Sequence, residues 1–409
     1  MCSNKNAWMR GCAASSLLAC AALAAVALPL PAPAGAAPPA ARVIGPSIQA
    51  AMQAAARAPG ATRRVTGPSP TEFDAPHATT EDSSLCAPNC GTIAFANNDQ
   101  GVVVGFYTDK NVVPHGFIRE PNGKIHEFDA PGAGLGHGLN EGTVAYAVNN
   151  QSVVAGEFED PQLVFHAFVR DAAGAFTVFD APGAGTGAGQ GTVVYNINTS
   201  GATSGVYIDA SGVYHGFLSA PGGPVTGFDP AGSVYTQVCL ETCHNDAGAI
   251  VGYFVDAGGV YHGFLREPDG SITQIDAPGA LQASNSGTLA ASINADGEIT
   301  GYYYDANGVG HGFLRYPKGR YVTFDAPKSN AAGTYAFSVN YFGAVTGATS
   351  VFDGFERLPD GSTETFIAPD AVHEPGFHGT RPSTLNITGE VAGFYIDAAG
   401  LVHGFVWNP

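Results

Sequence analysis

Residues 288–327, TLAASINADGEITGYYYDANGVGHGFLRYPKGRYVTFDAP, form a unit that the chain repeats about seven times. The period lies in the range of propeller blades. Counting from Thr288, the equivalent positions are Thr92, Thr143, Thr192, Cys239, Thr334 and Thr380. Six residues later stand Asn98, Asn149, Asn198, Asn245, Asn294, Asn340 and Asn386. Seven beyond each asparagine comes a glycine, from Gly105 to Gly393. On this count no insertion interrupts the first half of any copy, the regularity that short strands joined by tight turns require.

Each unit reads as four strands. TLAASIN, EITGYYY, GHGFLRY and RYVTFDAP are separated by Asn-x-x-Gly, Asp-x-x-Gly and Pro-x-Gly turn signals. Six copies carry an aspartate before the second turn (Asp109, Asp160, Asp209, Asp256, Asp305, Asp397) and a histidine six residues on (His115, His166, His215, His262, His311, His403). A phenylalanine follows two residues after each histidine. The sixth copy is shorter here and reads Asp353-Gly354-Phe355, which puts Asp353 in the histidine position. The last copy ends after its third strand, at Trp407. Its missing TxFDAP strand stands alone at Thr71–Pro76. The expected fold is therefore all-β: a seven-bladed β-propeller of four-stranded blades, closed by an N-terminal strand that completes the last blade and leaves no open sheet edge.

Residues 1–36 read as a secretory signal peptide, with Lys5 and Arg10, an apolar run from Cys12 to Leu30, and Ala34-Gly35-Ala36 at its end. Cys20 lies inside that run rather than after it, so lipidation is the lesser expectation. Residues 37–70 are an Ala/Pro-rich linker and residues 71–409 the propeller. The protein is expected to be secreted or periplasmic, monomeric, and not inserted in a membrane once the signal is removed. A formal charge of −18 argues against nucleic acid as partner, because phosphate recognition needs clustered Lys and Arg.

Removal of the signal leaves two cysteine pairs, Cys86/Cys90 and Cys239/Cys243, both disulfide candidates in an exported protein. Cys239 and Cys243 fall on an expected strand, where four extended residues span about 13 Å; they can bridge only if that strand bulges. Two separated CxxxC pairs make no zinc signature, so neither metal nor cofactor is expected.

A catalytic set is usually unique, whereas these His, Asp and Arg residues recur. The aspartates are expected to cap their own turns, the histidines to bond a neighbouring turn, and the phenylalanines to pack between blades. Arg119, Arg170, Arg266, Arg315 and Arg357 are expected to pair with local carboxylates or carbonyls. Function is sought instead where the repeat breaks, in the loops joining blades. Two of these are long and polar: one, Gly134 to Gly142, carries His137 and Glu141, and the other, Asp370 to Thr380, carries His373, Glu374 and His378, followed by Arg381. With Asp353, these are the candidate ligand-binding residues.

The HGFLR, FDAPGA and IN-x-x-G motifs, with His166-Ala167-Phe168, resemble the bacterial extracellular HAF repeats over residues 71–409. The resemblance implies secretion but no chemistry, and it supplies no catalytic residue. The Trp-Asp dipeptide of WD40 repeats and the Asp box of sialidases are missing. Two readings stay open. In the first, a non-catalytic binding or scaffold protein presents one loop face to an extracellular glycan or protein. In the second, a polysaccharide hydrolase or lyase has its site at the channel mouth, with Glu374, His373, His378, Glu141 and His137 as acid/base candidates and Arg381 as anchor of a substrate carboxylate. A purely structural or adhesive ring is the third possibility.

Overall fold

A computed structural model describes residues 69–80, 90–136, 141–327, 329, 333–350, 353–371 and 379–409. Among them run 28 strands, β1–β28 in chain order, arranged as seven four-stranded antiparallel blades. Blades one to six start at Thr92, Gly142, Gly191, Ser233, Thr288 and Thr334. Blade seven combines β26 (Gly379–Leu385), β27 (Val391–Ile396) and β28 (Val402–Trp407) with β1 (Thr71–Phe73). β1 pairs antiparallel with β28, Thr71 opposite Val406 and Phe73 opposite Gly404. The N-terminal strand thus closes the ring.

The repeated residues explain how one blade locks onto the next. Phe117, Phe168, Phe217, Phe264, Phe313, Phe355 and Phe405 are all fully buried. Six of these rings meet a fourth-strand phenylalanine of the preceding blade: Phe73 and Phe117, for instance, stand edge-on with centroids 5.9 Å apart. Burying each such ring contributes roughly 1.5–3 kcal/mol, and the edge-on geometry adds to it. The fourth-strand ring lies over the glycine of HGF in its own blade: a Cβ at Gly404 would come within 2.6 Å of the Phe73 ring.

The Gly-Thr that opens most blades makes two further ties. Gly191 has φ +126°, and a Cβ there would sit 2.0 Å from the Phe165 carbonyl oxygen. Only glycine combines that backbone with that approach, which joins β10 (Gly191–Ile197) to β8 (Phe165–Arg170) by one parallel bridge. The neighbouring threonine hydroxyl accepts the N–H of the FDAP alanine from the previous blade, as in Ala130 N to Thr143 Oγ1 at 3.0 Å and Ala277 N to Thr288 Oγ1 at 2.9 Å.

The asparagines form a belt. Each side-chain amide donates to the backbone carbonyl of the next blade's asparagine, from Asn98 to Asn149 and onward through Asn198, Asn245, Asn294, Asn340 and Asn386 back to Asn98, at 3.0–3.2 Å. Each Oδ1 accepts backbone N–H groups of its own turn; Asn294 takes those of Asp296 and Glu298. The turn residue read from sequence is also the link between blades.

Two sequence expectations are extended here. The recurrent histidines do reach the neighbouring turn, and each also holds a second aspartate, on the fourth strand of its own blade. His115 Nδ1 is 2.7 Å from Asp129 in the fourth strand, its Nε2 is 4.0 Å from Asp109 in the turn, and its ring stacks on Tyr107. Six blades in all carry the clamp, blade seven among them, where His403 holds Asp74 beside β1 at 2.8 Å. Blade six lacks the whole set, with buried Asp353 at the histidine position and Ile367 where others have the second aspartate. The arginines, expected to meet local carboxylates or carbonyls, meet carbonyls in three cases, and the unforeseen partner is an aromatic ring. Arg119, Arg170, Arg266 and Arg357 lie 4.8–5.1 Å from the ring centroids of Phe73, Phe128, Phe228 and Phe324 in the preceding blades; Arg170, Arg266 and Arg357 also donate to adjacent carbonyls.

Candidate active site at the ring centre

The first strand of each blade lies innermost, so a change there alters the centre of the ring. Blade four has one. In β14 (Ser233–Val238), Thr236 pairs with Phe254 as Thr288 pairs with Tyr303, and Val238 pairs with Gly252 as Ala290 pairs with Gly301. Thr236 is therefore the counterpart of Thr288, and Cys239 is not. Between Thr236 and Asn245 lie three more residues than between Thr288 and Asn294, so the uninterrupted first half expected from the sequence is corrected to an insertion. Thr236 also shows how its neighbour sets its role. Pro230 replaces the FDAP alanine and has no N–H to offer, so the Thr236 hydroxyl donates instead to Asp229 Oδ1 at 2.5 Å.

The extra residues leave the strand after Val238 and rejoin it at His244, which bridges to Ile250. This excursion brings the Cys239 and Cys243 Cα atoms to 5.7 Å, and the two are disulfide-bonded. The pair bridges because the chain departs from the strand, and both sulfurs are thereby withdrawn from any metal. Cys90 is also disulfide-bonded; Cys86 lies outside the described residues. No group of three or more metal-ligating side chains occurs among the described residues.

The excursion reaches inward. Thr242 Oγ1 bonds Ser292 Oγ of blade five and lies 3.3 Å from Ser338 Oγ of blade six, while the Thr242 carbonyl accepts Ile293 N–H at 2.9 Å. The blade-four insertion is thus tied to the first strands of blades five and six.

Next to Thr242 in the same insertion stands Glu241, partly exposed. Burial raises its pKa to about 7, against the pull of Arg381 and of the Leu240 and Glu241 backbone N–H groups. Arg381, third in β26, lies 4.3 Å above the Phe337 ring. Tyr253 and Tyr302 feel the Glu241 charge, and burial holds both phenols above their ordinary range, so they stay protonated donors. Tyr214, Tyr235, Tyr253 and Tyr335 remain partly exposed. Tyr214 and Tyr235 lie 4.8 Å apart, and the Tyr235 hydroxyl donates to Gln237 Oε1 at 2.8 Å. The centre thus combines one carboxylate poised near neutrality, one cation and a wall of neutral phenols. A carboxylate so perturbed can take or give a proton.

Of the candidates from sequence that lie among the described residues, Glu141, Asp353 and Arg381, one belongs to this centre. Arg381 joins this centre. Glu141 Oε2 accepts the Gly136 N–H at 2.5 Å and so closes its own loop, as Gln190 does for Gly187. Asp353 is buried, its N–H donating to Thr349 Oγ1. His137, His373, Glu374 and His378 lie outside the described residues. Glu241 was missed because the count from Asn245 put Cys239 in register; the Thr236 that follows Phe228 by eight residues was the available signal.

A second cleft, of about 510 Å³, opens beside the seam, lined by Glu72, Asp74, Asp370, Tyr395, Asp397 and His403. Its polar groups are the blade-seven clamp and its neighbours.

No protein-family model and no curated protein matches the chain. Solved structures do. A catalytically inactive variant of virginiamycin B lyase from Staphylococcus aureus with quinupristin aligns over 83% of this chain and 99% of that one, at 12% identity and a TM-score of 0.51. The selenomethionine-substituted form of that lyase aligns over the same shares at 11% identity and 0.51. A lectin from Burkholderia pseudomallei aligns over 76% and 92%, at 13% identity and 0.48. At such identities the likeness to the lyase shows a shared propeller fold and nothing of substrate; the lectin's is weaker still. The HAF resemblance rests on the repeat motifs.

Proposed function

We propose that this is an exported enzyme, carried out of the cytoplasm by residues 1–36, that cleaves an acidic polysaccharide by elimination at the ring centre. Arg381 pairs with the carboxylate of a uronate residue. Glu241 takes the proton from the carbon bearing that carboxylate. The C–H electron pair becomes the new C=C bond, and the C–O bond to the departing sugar breaks. Its oxygen leaves with that bond's electrons and takes a proton from Tyr253, which recovers one from solvent as Glu241 releases its own. The observation that supports this reading is Glu241: a partly exposed carboxyl with a pKa of about 7, on a disulfide-tied insertion found in blade four alone among the described first strands. Elimination suits the site better than hydrolysis, which needs two carboxyl groups flanking the bond; among the described residues no second carboxylate acts on Glu241.

A non-catalytic glycan-binding role is the second reading, favoured by the partly exposed tyrosines, which offer flat apolar faces with polar tips. One experiment separates the two. The propeller with its linker, residues 37–409, is incubated with a panel of uronate-containing polysaccharides while the absorbance of unsaturated product is followed. Turnover is expected to be abolished in Glu241→Gln with binding retained, and binding to be lost in Arg381→Ala. The rate of the parent protein is expected to rise with pH through about 7 as Glu241 ionises. Binding without unsaturated product from any member of the panel overturns the enzymatic reading in favour of the second.

A further inference from the structure

The seam cleft of about 510 Å³ has a counterpart in blade one that shows what it lacks. Glu72, opposite Phe405, and Glu127, opposite Phe117, hold the same register on the fourth strands of blades seven and one. The other five blades place Val178, Gly227, Gln274, Thr323 and Thr365 there. The surroundings of the two glutamates match. Each faces a tyrosine, Tyr395 or Tyr107, whose phenol is held above its ordinary range by burial and then by the glutamate's charge. Each also adjoins a clamp, His403 between Asp74 and Asp397 or His115 between Asp129 and Asp109.

The two blades differ in what meets the glutamate from the blade before. His77, which follows the FDAP of blade seven, caps Glu127: its N–H donates to Oε1 at 3.0 Å, and its Nδ1 lies 2.5 Å from Oε2. The residue in that position after Pro369 of blade six is Asp370, and it lines the cleft together with Glu72. Two carboxyls thus share a cleft where blade one joins a carboxyl to a nitrogen base. Glu72 is partly exposed, and its Oε1 has no hydrogen-bond partner. The Asp74 and Asp397 side chains, 46% and 24% exposed, line the same space. Phe73 and Ala398 give the cleft an apolar side, and its volume is that of a small-molecule site. Among the described residues no three metal-ligating side chains converge, so the chemistry fits a cation that carries its own carbon chain.

We infer that the seam cleft binds an organic ammonium ion, its nitrogen between Glu72 and Asp370 where blade one has the His77 imidazole, and its carbon chain along Phe73 and Ala398. An acidic glycan is repelled from this cleft, so the site is separate from the one that holds Arg381 on the innermost strand, and it stands or falls independently of the proposed reaction.

The test is calorimetric titration of residues 37–409 at low salt with spermidine, with Nα-acetyl-lysine amide and with calcium chloride. One spermidine per chain is expected. Glu72→Gln is expected to weaken it about tenfold, the loss of a hydrogen bond between charged groups. Asp370→His copies blade one and is expected to abolish binding, whereas His77→Asp copies blade seven into blade one and is expected to add a second site. Both swaps fall on exposed residues, and a site gained cannot come from damage to the fold. Spermidine bound more tightly than the lysine derivative points to a free polyamine, and equal binding to the lysine of a partner; either supports the inference. Heat that is the same in every variant is attraction to a surface of charge −18 and overturns it. Absence of spermidine binding, or calcium that displaces spermidine at equal concentration, overturns it as well.

Discussion

The asparagine that ends each first strand performs two tasks with one amide. Its oxygen caps its own turn and its nitrogen reaches the next blade, so replacing it leaves unpaired groups on both sides of an interface. Asn294→Ala removes the donor to the Asn340 carbonyl and the acceptor of two backbone N–H groups, at a position 5% exposed. The expected loss is about 2 kcal/mol or more in urea unfolding. Asn307→Ala, in an exposed outer turn, is expected to stay within about 0.5 kcal/mol of the parent. The recurrence of asparagine was plain in the sequence, and its turn role followed from its chemistry. Its partner did not, because periodicity tells which residue recurs and not what lies beside it once the ring closes. The arginines make the same point: their partner is an aromatic face one blade earlier.

At the scale of the element, the blade-four insertion separates fold from function. It adds nothing to the belt or the clamps, yet it carries Glu241 and ties blade four to blades five and six. On the proposed reading, replacing both Cys239 and Cys243 by alanine is expected to leave the β-sheet circular dichroism unchanged and to lower turnover at least tenfold, because the loop no longer fixes the Glu241 carboxylate. A bridge closing so short a loop contributes about 2 kcal/mol or less to stability. Equal activity in the variant would mean that the contacts of Thr242 with Ser292 and Ser338 suffice to hold the loop. The four strands of each blade and the strand swap at the seam were legible because every copy states them in the same residues. The site was not, since it arises where one copy departs from the rule and an alignment anchored on the shared asparagine absorbed the departure.

Across the whole molecule, two sets of groups set the pH response with the same sign. Burial raises the pKa values of Glu241 and Glu356 to about 7 from an ordinary 4.5, so the folded state holds protons that the unfolded chain has released. That destabilises the fold progressively as pH rises from 4.5 to about 7. In His403 the Asp74 hydrogen bond leads and the net shift is upward; in His115 and His262 burial pulls down but is outweighed by Asp129 with Asp109 and by Asp276 with Asp256. Their contribution is complete below the ordinary 6.5 and is lost as pH climbs through the raised values. The lowered carboxyls of Asp209, Asp256 and Asp305, held by backbone N–H groups and their histidines against burial, act only where pH falls below their ordinary 3.8. The melting temperature is expected to fall steadily between about pH 5 and about pH 8, and the His403→Gln variant to fall less. A melting temperature that rises over that interval would contradict these assignments.

The junction where the chain begins and ends is held by the same ties as the others. Asn386 passes its hydrogen bond to Asn98, Phe73 meets Phe117, and Ala75 N–H reaches Thr92 at 3.0 Å. Chemically the ring has no privileged starting point. A gene cut within another fourth-strand hairpin, with the present ends fused through a short linker, should encode a circular permutant of the same wheel, so the termini, and any anchor or fusion partner attached to them, can be moved around the rim without redesigning the interior.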